Sequence, residues 1–207
     1  MEMKRGILVA VEGPDGAGSS TQVDLLEKWF KKRNVKVYLT KEPTNSIVGG
    51  IIRSILKAEW KVDMRTLQLL FSADRAHHLQ REINPYLKKG INVISDRYIL
   101  STLAFGSPQE SLDWLKQINS NFPEPDLTFI LDVPGQVCAE RIAKSRFGFE
   151  IFETADKLER TRKNYLDLKF YHKNTHVIKG DTRKPEEIHE EIAKIVEEYC
   201  KEKGIKV

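Results

Sequence analysis

Short apolar segments alternate with longer amphipathic segments along almost the whole chain, and this order limits the folds open to it. The apolar segments read GILVAVE, VKVYLT, INVIS, DLTFILDV and THVIKG. Strands separated by helices pair in parallel, and the helices then cover both faces of the sheet. The sequence therefore predicts an α/β fold with a five-stranded parallel sheet between two layers of helices. Because no proline- or glycine-rich linker divides the chain, we expect residues 1–207 to form a single domain.

The amphipathic segments predict helices with recognisable ends. We expect one helix from about Thr21 to Arg33, and a long one that has Asp63 as its N-cap and continues to Lys89. The segment IVGGIIRSILK predicts a shorter helix, and the segment from Tyr98 to Asn119 predicts a helix interrupted at GSP. The final helix carries its apolar residues on one face, at Ile188, Ile192, Ile195 and Tyr199.

Cysteine usage, charge and the lengths of apolar runs narrow the class of protein. Cys138 and Cys200 lie far apart without metal-ligand spacing, so we expect free thiols in a reducing compartment. No apolar run is long enough for a signal peptide or a membrane-spanning helix, and we expect a cytoplasmic protein without a membrane partner. The net charge of +4 is small for 207 residues and fits a small anionic ligand as well as nucleic acid.

The segment VAVEGPDGAGSST, residues 9–21, has the order of a strand, a glycine-rich turn and the start of a helix. In the pattern G-x-x-x-x-G-K-[ST], backbone N–H groups and the helix N-terminus surround phosphate oxygens, and the final hydroxyl coordinates Mg²⁺. Gly13, Gly16 and Gly18 supply the turn, and Ser20 supplies the hydroxyl. Ser19 stands where the pattern has its lysine. A plain strand-to-helix turn is the alternative interpretation of this segment alone.

Four further segments accompany this loop, namely TKEPT, LLFSADRAHHLQ, SDRYILSTLAFG and LTFILDVP. Together the five segments resemble the thymidylate kinases, a family of P-loop nucleoside monophosphate kinases. That family has an aspartate two positions after the first glycine of its loop, a T-R-E-P turn, an F-x-A-D-R-A helix and a D-R-Y-x-x-S-x-x-A-Y turn. The resemblance runs from about Gly6 to the final helix and implies the three-layer P-loop kinase fold with a lid.

The same resemblance implies a reaction and its partners. The enzyme would transfer the terminal phosphoryl group of ATP to dTMP, with Mg²⁺, to give dTDP and ADP. Nucleic acid is not an expected partner. A homodimer formed through helices is expected, and the long helix from Asp63 to Lys89 is available for it.

Two pairs of residues suit a nucleotide monophosphate. Phe71 and Arg75 are four apart on one helix, so the ring can stack on a base while the guanidinium donates to a carbonyl. A core phenylalanine and a surface arginine are the alternative, and the resemblance favours thymine. Asp96 and Arg97 follow the third strand at the sheet edge where ligands of such folds bind. Arg97 suits a bidentate phosphate contact, and Asp96 suits Mg²⁺, directly or through water, with a surface ion pair as the alternative.

The resemblance gives roles to several other residues. Asp15 is expected to accept a sugar hydroxyl, Glu42 to order nearby basic side chains, and Arg53 to reach the acceptor phosphate. Asp132 is interpreted as a partner of the metal site or as a strand-end cap. The implied dTMP site therefore comprises Asp15, Glu42, Arg53, Phe71, Arg75, Arg97, Ser101 and Phe105.

The segment ERIAKSRFGFEIFE, residues 140–153, is expected to form the lid, where basic side chains close over the donor phosphates. A solvated helix with ordinary charges is the alternative. Arg183, in KGDTRKP, is expected to border the adenine. The implied ATP site comprises Gly13, Pro14, Asp15, Gly16, Ala17, Gly18, Ser19, Ser20, Thr21, Arg141 and Arg183, and the implied metal ligands are Ser20 and Asp96.

The missing lysine leaves two interpretations open. A well-placed cation at the transferring phosphoryl group contributes about 3 kcal/mol. In one interpretation the charge comes from the lid or from Lys41, which stands where relatives have arginine. In the other, the chain binds nucleotides as a regulator with little catalysis. The implied catalytic set is Lys41, Asp96, Arg97, Lys144 and Arg146.

Two further features of the sequence affect the choice of ligand. Phe105 and Gly106 replace the tyrosine and glutamine common in the family's D-R-Y turn, so dUMP or UMP is an alternative substrate. His77 and His78 are adjacent on a helix and point about 100° apart, so they cannot readily chelate one metal ion. We expect the histidine pair to be structural or weakly ligand-facing.

Overall fold

The computed structural model describes residues 5–145 and 154–205, and their strands form one parallel sheet. The strand order is β2-β3-β1-β4-β5, which places β1 at the centre. The strands are β1 (Leu8–Glu12), β2 (Val37–Lys41), β3 (Asn92–Asp96), β4 (Leu127–Asp132) and β5 (Thr175–Lys179). The predicted five-stranded parallel sheet is therefore confirmed.

Helices cover both faces of the sheet, as the alternation of the sequence predicts. They are α1 (Ser19–Lys32), α2 (Ile47–Leu56), α3 (Met64–His78), α4 (Asn84–Lys88), α5 (Ile99–Gly106), α6 (Leu112–Asn119), α7 (Gly135–Ser145), α8 (Ala155–Asp167) and α9 (Pro185–Glu202). None of the helices in the described residues combines the length and the apolarity that crossing a membrane requires.

The side chains of β1 divide the core into two halves. Val9 and Val11 pack into a cluster with α1, α7 and α9, whereas Leu8 and Ala10 pack into a second cluster with α4, α5 and α8. Successive side chains of a strand point to opposite faces, so this division produces three layers with the sheet in the middle. A smaller cluster joins α2 to α3 through Ile52, Ile55, Met64 and Leu67.

The long predicted helix is present, but it is not regular throughout. Asp63 caps α3, because its carboxylate accepts the Thr66 N–H at 2.7 Å, as predicted. The expectation of one unbroken α-helix to Lys89 is wrong, because a π-helical segment, Leu79–Ile83, separates α3 from α4. Pro85 lies in the first turn of α4 and has no N–H to donate to the preceding turn, which explains why the regular pattern is interrupted there.

The two other helix boundaries of interest lie close to the prediction. The segment after β3 is divided into α5 and α6 around GSP, as expected. Helix α1 begins at Ser19, two residues before the predicted start, because Gly18 adopts the left-handed conformation of its N-cap. Cys138 and Cys200 are free thiols, as predicted, and both are buried. Of the predicted lid, residues 146–153 lie outside the described residues.

Candidate functional site

The loop between β1 and α1 folds as an anion-binding turn. Gly18 has φ 99° and Gly16 has φ 79°, which are conformations that side chains disfavour. A Cβ on Gly16 would also lie 2.5 Å from the Cys138 carbonyl oxygen, so the loop packs directly on α7. No side chain caps the start of α1. The first backbone N–H groups of α1, together with the helix dipole, therefore suit a phosphate group.

Ser20 and Asp96 meet at the carboxyl edge of the sheet. The Ser20 hydroxyl donates to Asp96 Oδ2 at 2.6 Å. Asp96 Oδ1 is buried and has no hydrogen-bond partner in the described part of the chain. A buried carboxylate oxygen without a donor, beside a hydroxyl oxygen, is the hard-oxygen donor set that Mg²⁺ prefers. The two residues predicted as metal ligands thus fit a magnesium ion.

Arg97 is held in place at both its backbone and its side chain. Its φ of 73° is unusual for a residue other than glycine, and its N–H donates to the Val11 carbonyl at 2.9 Å. The guanidinium donates to Asp15 at 2.6 Å and to the Gly13 carbonyl at 2.8 Å. Burial alone would lower the pKa of Arg97, but the negative charge of Asp15 raises it above its ordinary value. Arg97 therefore remains cationic at the loop.

Glu12 is a buried acidic residue that the sequence analysis did not single out. Its carboxylate accepts the Tyr98 N–H at 2.9 Å and the Ser101 hydroxyl at 2.6 Å, and Tyr165 donates to it at 3.2 Å. Burial raises the pKa of Glu12, and the hydrogen bond from Ser101 opposes the rise. A glutamate at the end of an otherwise apolar strand was the available signal. Glu12 fixes the turn that carries Arg97.

One pocket gathers most of the side chains predicted to hold dTMP. Arg53 does not line it; its guanidinium donates to the Pro43 and Thr44 carbonyls of the neighbouring loop. Gln68 and Thr102 line the pocket as well, although the sequence analysis did not name them. The predicted residues that line this pocket are Asp15, Glu42, Phe71, Arg75, Arg97, Ser101 and Phe105.

Arg75 lies in the pocket wall and is 1% exposed, so the surface alternative for this residue is wrong. It donates to Glu42 through Nε at 3.0 Å and Nη2 at 2.7 Å. It also donates to the Tyr98 carbonyl at 2.9 Å, to the Thr102 hydroxyl at 3.1 Å and to Asn119 at 2.5 Å. An arginine guanidinium carries five N–H groups, so every N–H group of Arg75 has an acceptor within the protein.

Glu42 organises the basic side chains around it, as the sequence analysis expected. Besides Arg75, it contacts His78, whose Nδ1 lies 3.1 Å from Glu42 Oε1. His78 is buried, and its Nε2 lies 2.6 Å from the Thr40 hydroxyl, whereas His77 is exposed. The structural role predicted for the histidine pair is therefore confirmed for His78. Within the described ranges, no group of three histidine, cysteine or acidic residues could hold a metal ion.

A second pocket lies over the phosphate loop and adjoins the first. It is lined by loop and α1 residues together with Asp96 and Arg141. Asp15 and Arg97 line both pockets. The ion pair between these two residues is thus the boundary at which a ligand in one pocket would meet a ligand in the other.

The remaining predicted cations occupy different places. Lys41 is exposed at the end of β2 and lines a depression that also contains Ser20 and Asp96. Lys144 is exposed in the last turn of α7, and Arg146 lies outside the described residues. Arg141 approaches the loop, donating to the Ala17 carbonyl at 3.4 Å and the Gly180 carbonyl at 3.0 Å.

Two residues with predicted roles have partners within the protein. Arg183 donates to the Glu187 carbonyl at 2.7 Å and pairs with Glu191, so it is held against the start of α9. Asp132, the last residue of β4, pairs with Arg162 of α8 at 2.5 Å, and the two roles considered for it stay predictions. Ser19 is 8% exposed at the first position of α1, and no ammonium group lies within the described loop.

Comparison with known proteins gives one consistent result. The model of the family described as thymidylate kinase matches residues 11–192. A protein named Probable thymidylate kinase from Pyrococcus abyssi is 40% identical over 199 residues, covering 93% of this chain and 96% of its own. One of the same name from Pyrobaculum aerophilum is 39% identical over 189 residues, covering 91% and 95%.

A solved structure gives the same fold. The thymidylate kinase of Candida albicans superposes with a TM-score of 0.81 at 24% identity, covering 94% of this chain and 92% of its own. At this identity the likeness concerns the fold alone. It agrees with the three-layer arrangement around a five-stranded parallel sheet.

Proposed function

The chain belongs to the thymidylate kinase family, and we propose that it transfers the terminal phosphoryl group of ATP to dTMP, giving dTDP and ADP. The observation that carries this proposal is the boundary between the two pockets. Asp15 and Arg97 line both pockets, so a monophosphate held in one has its phosphate beside the donor phosphates held in the other. Phosphoryl transfer depends chiefly on such in-line positioning and on nearby positive charge.

The donor phosphates bind at the loop after β1 in this proposal. The uncapped first turn of α1 offers backbone N–H groups to phosphate oxygens. Arg141 borders the same pocket from α7 and adds a positive charge to it. Residues 13–21 and Arg141 therefore form the ATP site, with Arg183 farther along the chain towards the adenine.

The acceptor dTMP binds in the first pocket in this proposal. Phe71 and Phe105 provide apolar ring faces for the base, and Arg97, which lines both pockets, provides the charge for the phosphate. Asp15 accepts a sugar hydroxyl. No general base is required, because the acceptor phosphate is already an oxyanion.

Ser20 and Asp96 would hold Mg²⁺, as the buried Asp96 Oδ1 without a donor supports. When bound, the ion neutralises charge on the donor phosphates. The residues of the chain itself position the two nucleotides and exclude water. The hydrogen bond between Ser20 and Asp96 keeps both oxygens at the start of α1, where the loop N–H groups lie.

The cation that replaces the loop lysine is part of the proposal. Ser19 provides no charge, and we infer that Arg146 or Lys144 of the lid region, or Lys41 beside Asp96, provides it. A nucleotide-binding regulator with little turnover is the second candidate, and Ser19 itself is the observation that favours it.

We also infer that the chain is a single cytoplasmic domain and that it forms a homodimer. The half-exposed Leu69 of α3 provides apolar surface for this contact.

The proposed reaction is tested by a coupled assay of ADP release with ATP, Mg²⁺ and a panel of monophosphates. We expect ADP release that depends on dTMP and is weaker with dCMP and purine monophosphates. If UMP gives ADP release as fast as dTMP or faster, the result would favour the broader substrate specificity that Phe105 and Gly106 suggest. Nucleotide binding without ADP release for any monophosphate would favour the regulator.

A further inference from the structure

The amide of Gln68 lines the first pocket and is incompletely paired. Gln68 lies on α3, is 0% exposed and borders the pocket beside Phe71 and Arg75. Its Nε2 donates to Met64 Sδ at 3.2 Å. Its Oε1 is buried and has no hydrogen-bond partner in residues 5–145 and 154–205. A buried acceptor without a donor is costly, so such a group in a pocket wall indicates a missing ligand.

The position of this amide is fixed by the neighbouring helix. A Cβ on Gly106 of α5 would lie 3.1 Å from Gln68 Cδ and 3.0 Å from the methyl groups of Leu115. The Gln68 side chain therefore occupies space that is open because Gly106 has no side chain. Packing against Gly106 restricts the rotation of the side chain, and the Met64 contact directs the NH₂ group along α3, so Oε1 is left for another donor.

The other polar groups of the pocket wall are already engaged with one another. All five N–H groups of Arg75 have protein acceptors, and Thr102 accepts one of them. Ser101 donates to Glu12, and Asp15 accepts from Arg97. Among the described residues that line the pocket, Gln68 alone has a buried side-chain oxygen without a partner.

We propose that Gln68 recognises the imide edge of the pyrimidine base, with Oε1 accepting the N3–H of thymine or uracil. This inference rests on the proposed function, since it assigns the base of the acceptor to this pocket. Cytosine has an acceptor at N3 and an amino group beside it, so its N3 would oppose the Gln68 carbonyl oxygen. Gln68 thus favours thymine and uracil over cytosine, and it does so through binding of the base rather than through the transfer step.

The test compares Gln68→Leu, which keeps the volume and removes both polar atoms, with the unmodified protein. Dissociation constants for dTMP, dUMP and dCMP are measured by titration calorimetry, and KM and kcat by ADP release. We expect the dissociation constant and KM for dTMP and dUMP to rise about tenfold, the loss of one neutral hydrogen bond. We expect little change in kcat, and a dissociation constant for dCMP that is unchanged or lower, because the variant removes the oxygen that opposes N3 of cytosine.

Two further variants keep the test decisive. Ser72→Ala removes another buried, unpartnered side-chain oxygen of α3 that does not line the pocket, and it should leave all three dissociation constants unchanged. Gln68→Met provides a second apolar substitution in case Gln68→Leu does not fold. It should reproduce the selective loss of dTMP and dUMP binding.

The outcomes separate this inference from the function on which it rests. An unchanged ratio of the dTMP and dCMP dissociation constants in both Gln68 variants would overturn the role of Gln68, whatever the turnover. An equal loss for all three nucleotides would also overturn it, as a sign of general damage to the pocket. A protein that binds dTMP with the predicted dependence on Gln68 but releases no ADP would support the inference and contradict the proposed reaction.

Discussion

The Arg97 guanidinium donates to the Asp15 carboxylate across 2.6 Å, although Arg97 follows β3 and Asp15 lies in the loop after β1. The parallel pairing of β1 with β3 brings the two together, because both strands end at the same edge. A second hydrogen bond, to the Gly13 carbonyl, fixes the plane of the guanidinium. Phe105 lies beside it, with its ring centre 5.2 Å from Arg97 Cζ. Arg97 is thus oriented before any nucleotide binds.

We expect Arg97→Lys to lower kcat by about a hundredfold, because a lysine cannot contact Asp15, Gly13 and a phosphate with one planar group. The matched control is Arg65→Lys, at an exposed arginine of α3 that pairs with Glu110. This control should keep its turnover, since exposed ion pairs contribute little. Steady-state kinetics with dTMP measure both variants, and an unchanged kcat in Arg97→Lys would remove Arg97 from the catalytic set.

The sequence was sufficient to place Asp96, Arg97 and Ser20 near one another. Asp96 ends β3, Arg97 follows it, and Ser20 lies in the helix after β1. The carboxyl ends of both strands lie at the same edge of a parallel sheet, so motif spacing and sheet topology determine the positions of the three residues together. The surroundings of Arg75 could not be predicted in the same way. Its acceptors Glu42, Thr102 and Asn119 lie 33, 27 and 44 residues away and belong to different elements. Only the packing of α3 against α5 and α6 shows that Arg75 is buried and fully paired.

The missing lysine leads to a prediction about the cations outside the loop. We expect Arg146→Ala to lower turnover by about a hundredfold, because Ser19 leaves the donor phosphates without a loop cation. Lys144→Ala and Lys41→Ala should have smaller effects, if Arg146 is the principal cation. Lys31→Ala, in the last turn of α1 at its far end, is the control and should not alter turnover. Unchanged ADP release in all three variants of the candidate cations would contradict compensation for the lysine.

Two adjacent glycines of α2 are expected to respond in opposite ways to alanine. A Cβ on Gly49 would lie 1.9 Å from the Thr44 carbonyl oxygen, and Asp74 holds Thr44 through two hydrogen bonds. Gly49→Ala should therefore destabilise the protein by about 1–3 kcal/mol. The nearest atom to a Cβ on Gly50 is 3.9 Å away, so Gly50→Ala should stabilise α2 by about 0.5–1 kcal/mol.

Urea unfolding of both glycine variants measures the two changes on one scale. No loss of stability in Gly49→Ala would show that the loop after β2 does not pack on α2 as described, and a loss in Gly50→Ala would show that the space beside Gly50 is not open. The same loop carries Glu42, so Gly49→Ala should also weaken dTMP binding, whereas Gly50→Ala should not.

The dependence of stability on pH is predicted for Glu159 of α8. A hydrogen bond from the Gly135 N–H, and then Arg162, lower the pKa of Glu159 below its ordinary value of 4.5. A carboxyl group with a lowered pKa stabilises the fold above its unfolded pKa, and this stabilisation is lost as the pH falls through the folded pKa. We expect Glu159→Gln to lower the melting temperature by a few degrees at neutral pH and by progressively less below pH 4.5.

Melting temperatures measured across the acidic range provide this comparison. Glu140→Gln, on the exposed side of α7, is the control, and its melting temperature should follow that of the unmodified protein throughout. A difference for Glu159→Gln that is the same at neutral and acidic pH would show that the charge of Glu159 does not stabilise the start of α7.

The central claim is that this chain phosphorylates dTMP although its phosphate loop has no lysine. The most direct test is to mix excess enzyme with dTMP, ATP and Mg²⁺ and to measure dTDP by chromatography during a single turnover, for the unmodified protein and for Ser19→Lys. We predict that the unmodified protein forms dTDP and that Ser19→Lys forms it faster. Formation of dTDP by Ser19→Lys alone, with ATP bound by both proteins, would contradict the account and identify the unmodified chain as a nucleotide-binding protein without this activity.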